Sequence, residues 1–73
     1  MSEELDNHIA KLRTKRKISQ QELAEAIGVS RKTISTVETM RFTPSVIIAL
    51  KLAKYFEVPV ESVFELVPFE ERD

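Results

Sequence analysis

The sequence predicts an all-α fold: a compact domain of five short helices, with room for a short terminal β-strand. Three observations carry that expectation. Ser19 to Glu38, SQQELAEAIGVSRKTISTVE, reads as two capped helices around Gly28, the only glycine of the chain. Leu5, Ile9 and Leu12 recur before it at the i, i+4, i+7 spacing of one helix face. After it, Thr43-Pro44 opens a long apolar run with a residue type suited to the first helical position.

Taken in order, the first helix is expected from about Asp6 to Arg16, capped by Asp6 or Asn7. His8, the single histidine, is expected at the surface, since a lone imidazole needs a charged neighbour to act as a pH switch. Lys11, Arg13, Lys15, Arg16 and Lys17 form a basic cluster, part of which should face phosphate. The second helix opens at Gln20 through a capping box: the Ser19 oxygen accepts the amide three residues on, and the Glu22 carboxylate reaches back. Leu23, Ala24 and Ile27 share its inner face, and Gly28 can take the left-handed conformation that ends it.

Ser30 then caps a third helix that turns Ile34 and Val37 inward. Its outer face carries Arg31, Lys32, Thr33, Ser35 and Thr36. Two cations among short hydroxyls suit phosphates and the donor and acceptor edges of bases in a major groove. An ordinary solvated face has the same residue types. Two capped helices around a tight turn nevertheless have the outline of a helix-turn-helix.

The fourth helix is expected from Pro44 to about Phe56. It is apolar on most sides, so another element or subunit should cover part of it. Pro59 and Val60 to Phe64 read as a short fifth helix with Val63 and Phe64 inward. Glu65 to Phe69 is β-favouring but contains Pro68, so a strand there is short or at an edge. It could pair with residues 2–5 or with a second subunit, or fray. Glu70 to Asp73 reads as a solvated acidic end.

Composition narrows the function. A lone core is only marginally stabilising at 73 residues, so self-association is expected. Without cysteine there is no disulfide, thiolate metal site or thiol redox sensor. No apolar run approaches a membrane span, and the acidic Ser2-Glu3-Glu4 is unlike a secretory or transit peptide; a cytoplasmic protein with no membrane partner is expected. Metal-ligand clusters, a phosphate-binding glycine loop and a histidine-nucleophile-acid set are all missing, so neither an enzyme nor a cofactor is expected. A second domain to sense a small molecule is not indicated.

The net charge of −1 hides a segregation. Residues 1–8 hold three acids and no Lys or Arg, residues 9–55 hold ten basic and three acidic residues, and residues 56–73 hold one basic and six acidic residues. The net charges are −3, +7 and −5. Positive charge therefore gathers on the stretch with the candidate reading helix, as counterion release from DNA requires.

From about Ile9 to Phe64 the chain resembles the Xre-type, phage-repressor-like family. The resemblance rests on Ser19-Gln20-Gln21-Glu22-Leu23-Ala24, Gly28-Val29-Ser30, Ile34 with Glu38, and Pro44-Ser45. It implies a dimeric, sequence-specific regulator of double-stranded DNA, most simply a repressor, with third helices in successive major grooves of a near-palindrome. By position, Arg31, Lys32, Ser35 and Thr36 would read bases. Gln20, Ser30, Thr39, Arg41 and Thr43 would position phosphates. Arg13 would pair with Glu38 and tie the first helix to the third. Relatives often carry a polar residue where this chain has Ile47, which makes Ile47 the leading dimer-contact candidate, with Tyr55, Leu66 and Phe69 beside it; packing of Ile47 under a terminal segment is the alternative. The resemblance also implies glycine, usual in relatives, where this chain has Lys17, Met40 and Glu57. If the backbone stays left-handed there, each costs roughly 1 kcal/mol. A reading from another class is a protein-interaction module, such as an antitoxin that neutralises a toxin partner, and control by a protein antagonist fits either.

Overall fold

The computed structural model of the protein describes residues 3–68. Strand β1 (Glu3–Asn7) leads into α1 (Ile9–Lys15), α2 (Gln20–Ile27), α3 (Arg31–Glu38) and α4 (Val46–Phe56). A single 3-10 turn (Val60–Ser62) and strand β2 (Phe64–Pro68) follow. Among the described residues the fold is four α-helices and a two-stranded sheet: the expected short terminal strand forms, whereas the expected fifth helix does not. Pro59 precedes only one turn before Val63 and Phe64, both buried, carry the chain into the sheet.

β1 and β2 pair antiparallel, from Glu3 opposite Pro68 to Asn7 opposite Phe64. The His8 amide donates to the Val63 carbonyl at 2.8 Å and extends the ladder to the start of α1. The expected strand thus pairs with the chain's own first residues. Side chains directly opposite share a face. Along the Asn7–Phe64 and Leu5–Leu66 pairs that face passes from the core, where Phe64 is 8% exposed, to solvent, where Leu66 is 64% exposed.

Helix starts follow local chemistry. Both halves of the Ser19–Glu22 capping box form, with Glu22 N to Ser19 Oγ at 3.0 Å and Ser19 N to Glu22 Oε1 at 2.8 Å. Ser30 Oγ accepts Thr33 N at 3.1 Å and opens α3. α4 begins later than expected, because Ser45 rather than Thr43 takes the cap, accepting Ile48 N at 3.1 Å, and Pro44 stays outside the helix. α1 also starts late, at Ile9; Asn7 serves it from outside by accepting the Ile9 amide at 3.1 Å, while Asp6 and Asn7 remain in β1.

Helix ends share one device. Gly28 is left-handed (φ +77°), and so are Lys17, Met40 and Glu57 (φ 59°, 63° and 57°). At each, the following amide reaches back five residues: Ile18 to Arg13, Val29 to Ala24, Arg41 to Thr36 and Val58 to Ala53, at 2.9 to 3.1 Å. These are Schellman-type closures, three of them without glycine. The core between the elements is apolar throughout, with Ile9, Leu23, Ile34, Leu52 and Val63 fully enclosed.

Candidate nucleic-acid interface

α2 and α3 pack against each other through Leu23, Ala24, Ile27, Ile34 and Val37, so the opposite face of α3 is left to solvent. Arg31 and Lys32 are exposed in its first turn, with Ser35 and Thr36 half-buried behind them. Neither ion pair among the described residues involves Arg31, Lys32 or Arg41. A concavity of ≈ 370 Å³ joins α3 to the loop that follows it, lined by Ser30, Lys32, Thr33, Thr36, Arg41 and Phe42. The sequence-chosen residues Ser30, Lys32, Thr36 and Arg41 are thus brought to one surface. Thr43, exposed on the same loop, lies outside that concavity and lines the neighbouring one under β1.

Hydroxyl directions refine the chemistry of this surface. Thr36 Oγ1 donates to the Lys32 and Thr33 carbonyls, both at 3.0 Å, so what it presents outward is an acceptor and a methyl. Thr39 Oγ1 likewise donates to Ser35 O (2.9 Å) and Thr36 O (3.3 Å), which leaves no hydroxyl hydrogen for a phosphate in this arrangement. Ser30 Oγ lies 2.9 Å from Thr33 Oγ1 while accepting the Thr33 amide.

Glu38, the last residue of α3, anchors the helix. Arg13 Nε donates to Glu38 Oε2 at 2.8 Å and Arg13 Nη2 to Oε1 at 3.3 Å, in a fork that is 18% exposed on the arginine and 7% on the glutamate. Arg13 Nη1 also donates to the Ile18 carbonyl at 3.0 Å, which fixes the turn between α1 and α2. Gln20 Nε2 donates to Glu38 Oε1 at 3.0 Å; one amide hydrogen remains for a phosphate. Hydrogen bonding to Glu38 raises the Arg13 pKa above its ordinary value, against the lowering effect of burial.

Three polar residues hold helix C-termini across the fold, and local sequence chemistry does not show them. Asn7 Nδ2 donates to Val37 O and Glu38 O, both at 3.2 Å. Arg16 donates to Tyr55 O (3.2 Å) and Phe56 O (2.9 Å) at the end of α4, with its guanidinium over both rings. Lys51 Nζ donates to Ile27 O at 3.1 Å at the end of α2. Each complements the negative end of a helix dipole. Arg16 thereby leaves the phosphate-facing cluster in which the sequence placed it.

Of the dimer candidates, Ile47 is 67% exposed, flanked on α4 by Val46 at 73% and Leu50 at 56%, two residues that sequence reasoning did not single out. Leu66, in the middle of β2 opposite Leu5, is exposed. Tyr55 is half-buried beneath Arg16 and edge-on to Phe56. Phe69 lies outside the described residues. His8 stands beside the sheet, with Nε2 2.6 Å from Glu65 Oε1.

Comparison with known proteins matches this geometry. A helix-turn-helix family model covers residues 9–63. The chain is 37% identical over 62 residues to YgzD of Bacillus subtilis, described as an uncharacterised HTH-type transcriptional regulator, covering 85% of this chain and 94% of that one. It is 37% identical over 60 residues to a similarly described regulator of Methanocaldococcus jannaschii, covering 82% and 91%. Among solved structures, the restriction-modification controller protein C.AhdI of Aeromonas hydrophila superposes with TM-score 0.71 at 29% identity, covering 75% of this chain and 83% of that one. The transcriptional regulator VanUg shares the fold, with TM-score 0.76 at 23% identity, covering 94% and 92%. The chain belongs to the Xre-like helix-turn-helix family of DNA-binding transcriptional regulators.

Proposed function

We propose that this protein is a dimeric repressor that reads a near-palindromic operator in the nucleoid, inserting the α3 helices of two copies into successive major grooves. The observation that carries the reading is the outward face of α3, whose Arg31 and Lys32 are exposed while its other face is locked into the core and its last residue is held by Arg13 and Gln20. Arg31 and Lys32 suit guanine O6 and N7; Thr36, offering an acceptor and a methyl, suits an adenine or cytosine amino group or a thymine methyl. Ser35 completes the base-reading set. Arg41, Thr43, Ser30 and the remaining Gln20 hydrogen serve phosphates, and Thr39 joins them only if its hydroxyl turns from the Ser35 carbonyl.

Dimerism is supported by the Val46, Ile47 and Leu50 face of α4, an apolar surface that no described part of the chain covers. Two copies joined there would present α3 helices for half-sites about 34 Å apart. Similarity to HTH-type transcriptional regulators favours DNA reading over the antitoxin-like alternative.

Selection of bound duplexes from a random pool at about 150 mM salt tests the proposal, since purely phosphate-driven binding fades at that salt. An enriched inverted repeat with half-site centres one helical turn apart is the expected result. Enrichment of single half-sites would remove the dimer. A folded protein that enriches nothing would remove the DNA-reading role.

A further inference from the structure

Asn7 closes the terminal ribbon and touches two helices at once. Its Nδ2 donates to Val37 O and Glu38 O, and its Oδ1 accepts the Ile9 amide. The other open carbonyls at the end of α3 find local amides: Ser35 O takes Thr39 N, Thr36 O takes Arg41 N and Val37 O takes Met40 N, at 3.0 to 3.1 Å. For the Glu38 carbonyl the partner is Asn7, thirty-one residues away. Glu38 is thus gripped twice. Its carboxylate is held by α1 and α2, and its main chain by β1.

Asn7 is itself placed from outside the helix-turn-helix. It sits opposite Phe64, whose ring is in the core, at the end of the pairing between β1 and β2. An eight-residue helix is about 12 Å long, so a tilt of about 10° at one end displaces the other by about 2 Å. That exceeds the tolerance of a hydrogen bond to a base edge.

We infer that Asn7 is a positioning residue: through the Glu38 and Val37 carbonyls, the terminal ribbon sets the angle at which α3 meets DNA. The inference rests on α3 being the reading helix.

Asn7→Ser and Asn7→Asp each keep an oxygen for the Ile9 amide and lose the donors to α3. Both would be compared with the wild type at a temperature where all are fully folded. Two quantities are read: the affinity ratio between the selected operator and a scrambled duplex, and amide residual dipolar couplings of α3 relative to α1 and α2 in the free protein. The ratio is expected to fall about fivefold, the scale of one lost net hydrogen bond, with scrambled-duplex affinity nearly unchanged for Asn7→Ser. The α3 couplings should shift while those of α1 and α2 hold. Unchanged couplings, or operator and scrambled affinities of Asn7→Ser that fall in step, would overturn the inference. If the wild type preferred no duplex, the repressor proposal would fail by that result, and the couplings would still decide whether Asn7 orients α3.

Discussion

Four helix ends share a left-handed residue, but only Gly28 is a residue type that adopts it without strain. Lys17→Gly, Met40→Gly and Glu57→Gly should each stabilise the fold by roughly 0.5–1 kcal/mol, because relief of the left-handed strain exceeds the added freedom of the unfolded chain. Equal or lower stability in urea titrations would mean that these side chains contribute contacts worth more than the strain. Gly28→Ala should cost about 1 kcal/mol by the same reasoning; the new methyl would meet Lys51 Nζ only at 3.9 Å, so the cost is conformational. Glu38→Gln should be more damaging. It leaves the largely enclosed Arg13 guanidinium without its counter-charge, and about 2–4 kcal/mol is expected, near the range for breaking a buried pair. A double-mutant cycle with Arg13→Gln should show strong coupling; additive losses would mean that the fork contributes little. The fork pairs residues twenty-five apart, so it was legible only through family resemblance, whereas the Ser19–Glu22 and Ser30–Thr33 caps were legible directly because their partners lie three residues apart.

Among the elements, α2 and α3 were the most legible, being bounded by side chains that name their own ends. β1 was hidden. Glu3-Glu4-Leu5-Asp6-Asn7 has no apolar alternation, and its pairing partner lies about sixty residues away. The 3-10 turn is indistinguishable in sequence from a short helix, because the apolar neighbours Val63 and Phe64 can be buried by a turn entering a strand as well as by a helix. α4 read correctly as over-apolar, but which side is open depends on packing: Leu52, Ala53 and Phe56 are buried and Val46, Ile47 and Leu50 are not. Ile47→Glu should therefore weaken dimerisation without unfolding the chain. Its dissociation constant in sedimentation equilibrium should rise about tenfold or more, on the scale of one unburied isoleucine. An unchanged constant would move the interface elsewhere, with exposed Leu66 the next residue to test.

At the scale of the molecule, only part of the basic charge of residues 9–55 stands on the reading surface. Arg13, Arg16 and Lys51 are occupied within the protein, so Arg31, Lys32 and Arg41 are the cations that the reading surface itself contributes. The terminal ribbon carries Glu3, Glu4, Asp6 and Glu65, which disfavours its approach to phosphate. Arg41→Ala should weaken binding to all duplexes alike and flatten the slope of log K against log salt by about 0.9, the share of one phosphate contact. The most direct test of base reading by α3 is to select duplexes with wild type and with Arg31→Ala in parallel and compare the enriched sequences. A base-reading α3 predicts that the variant loses or changes its preference at one position in each half-site, at a cost of about 1–3 kcal/mol on the wild-type operator. Identical preference profiles would contradict the assignment of Arg31 to a base.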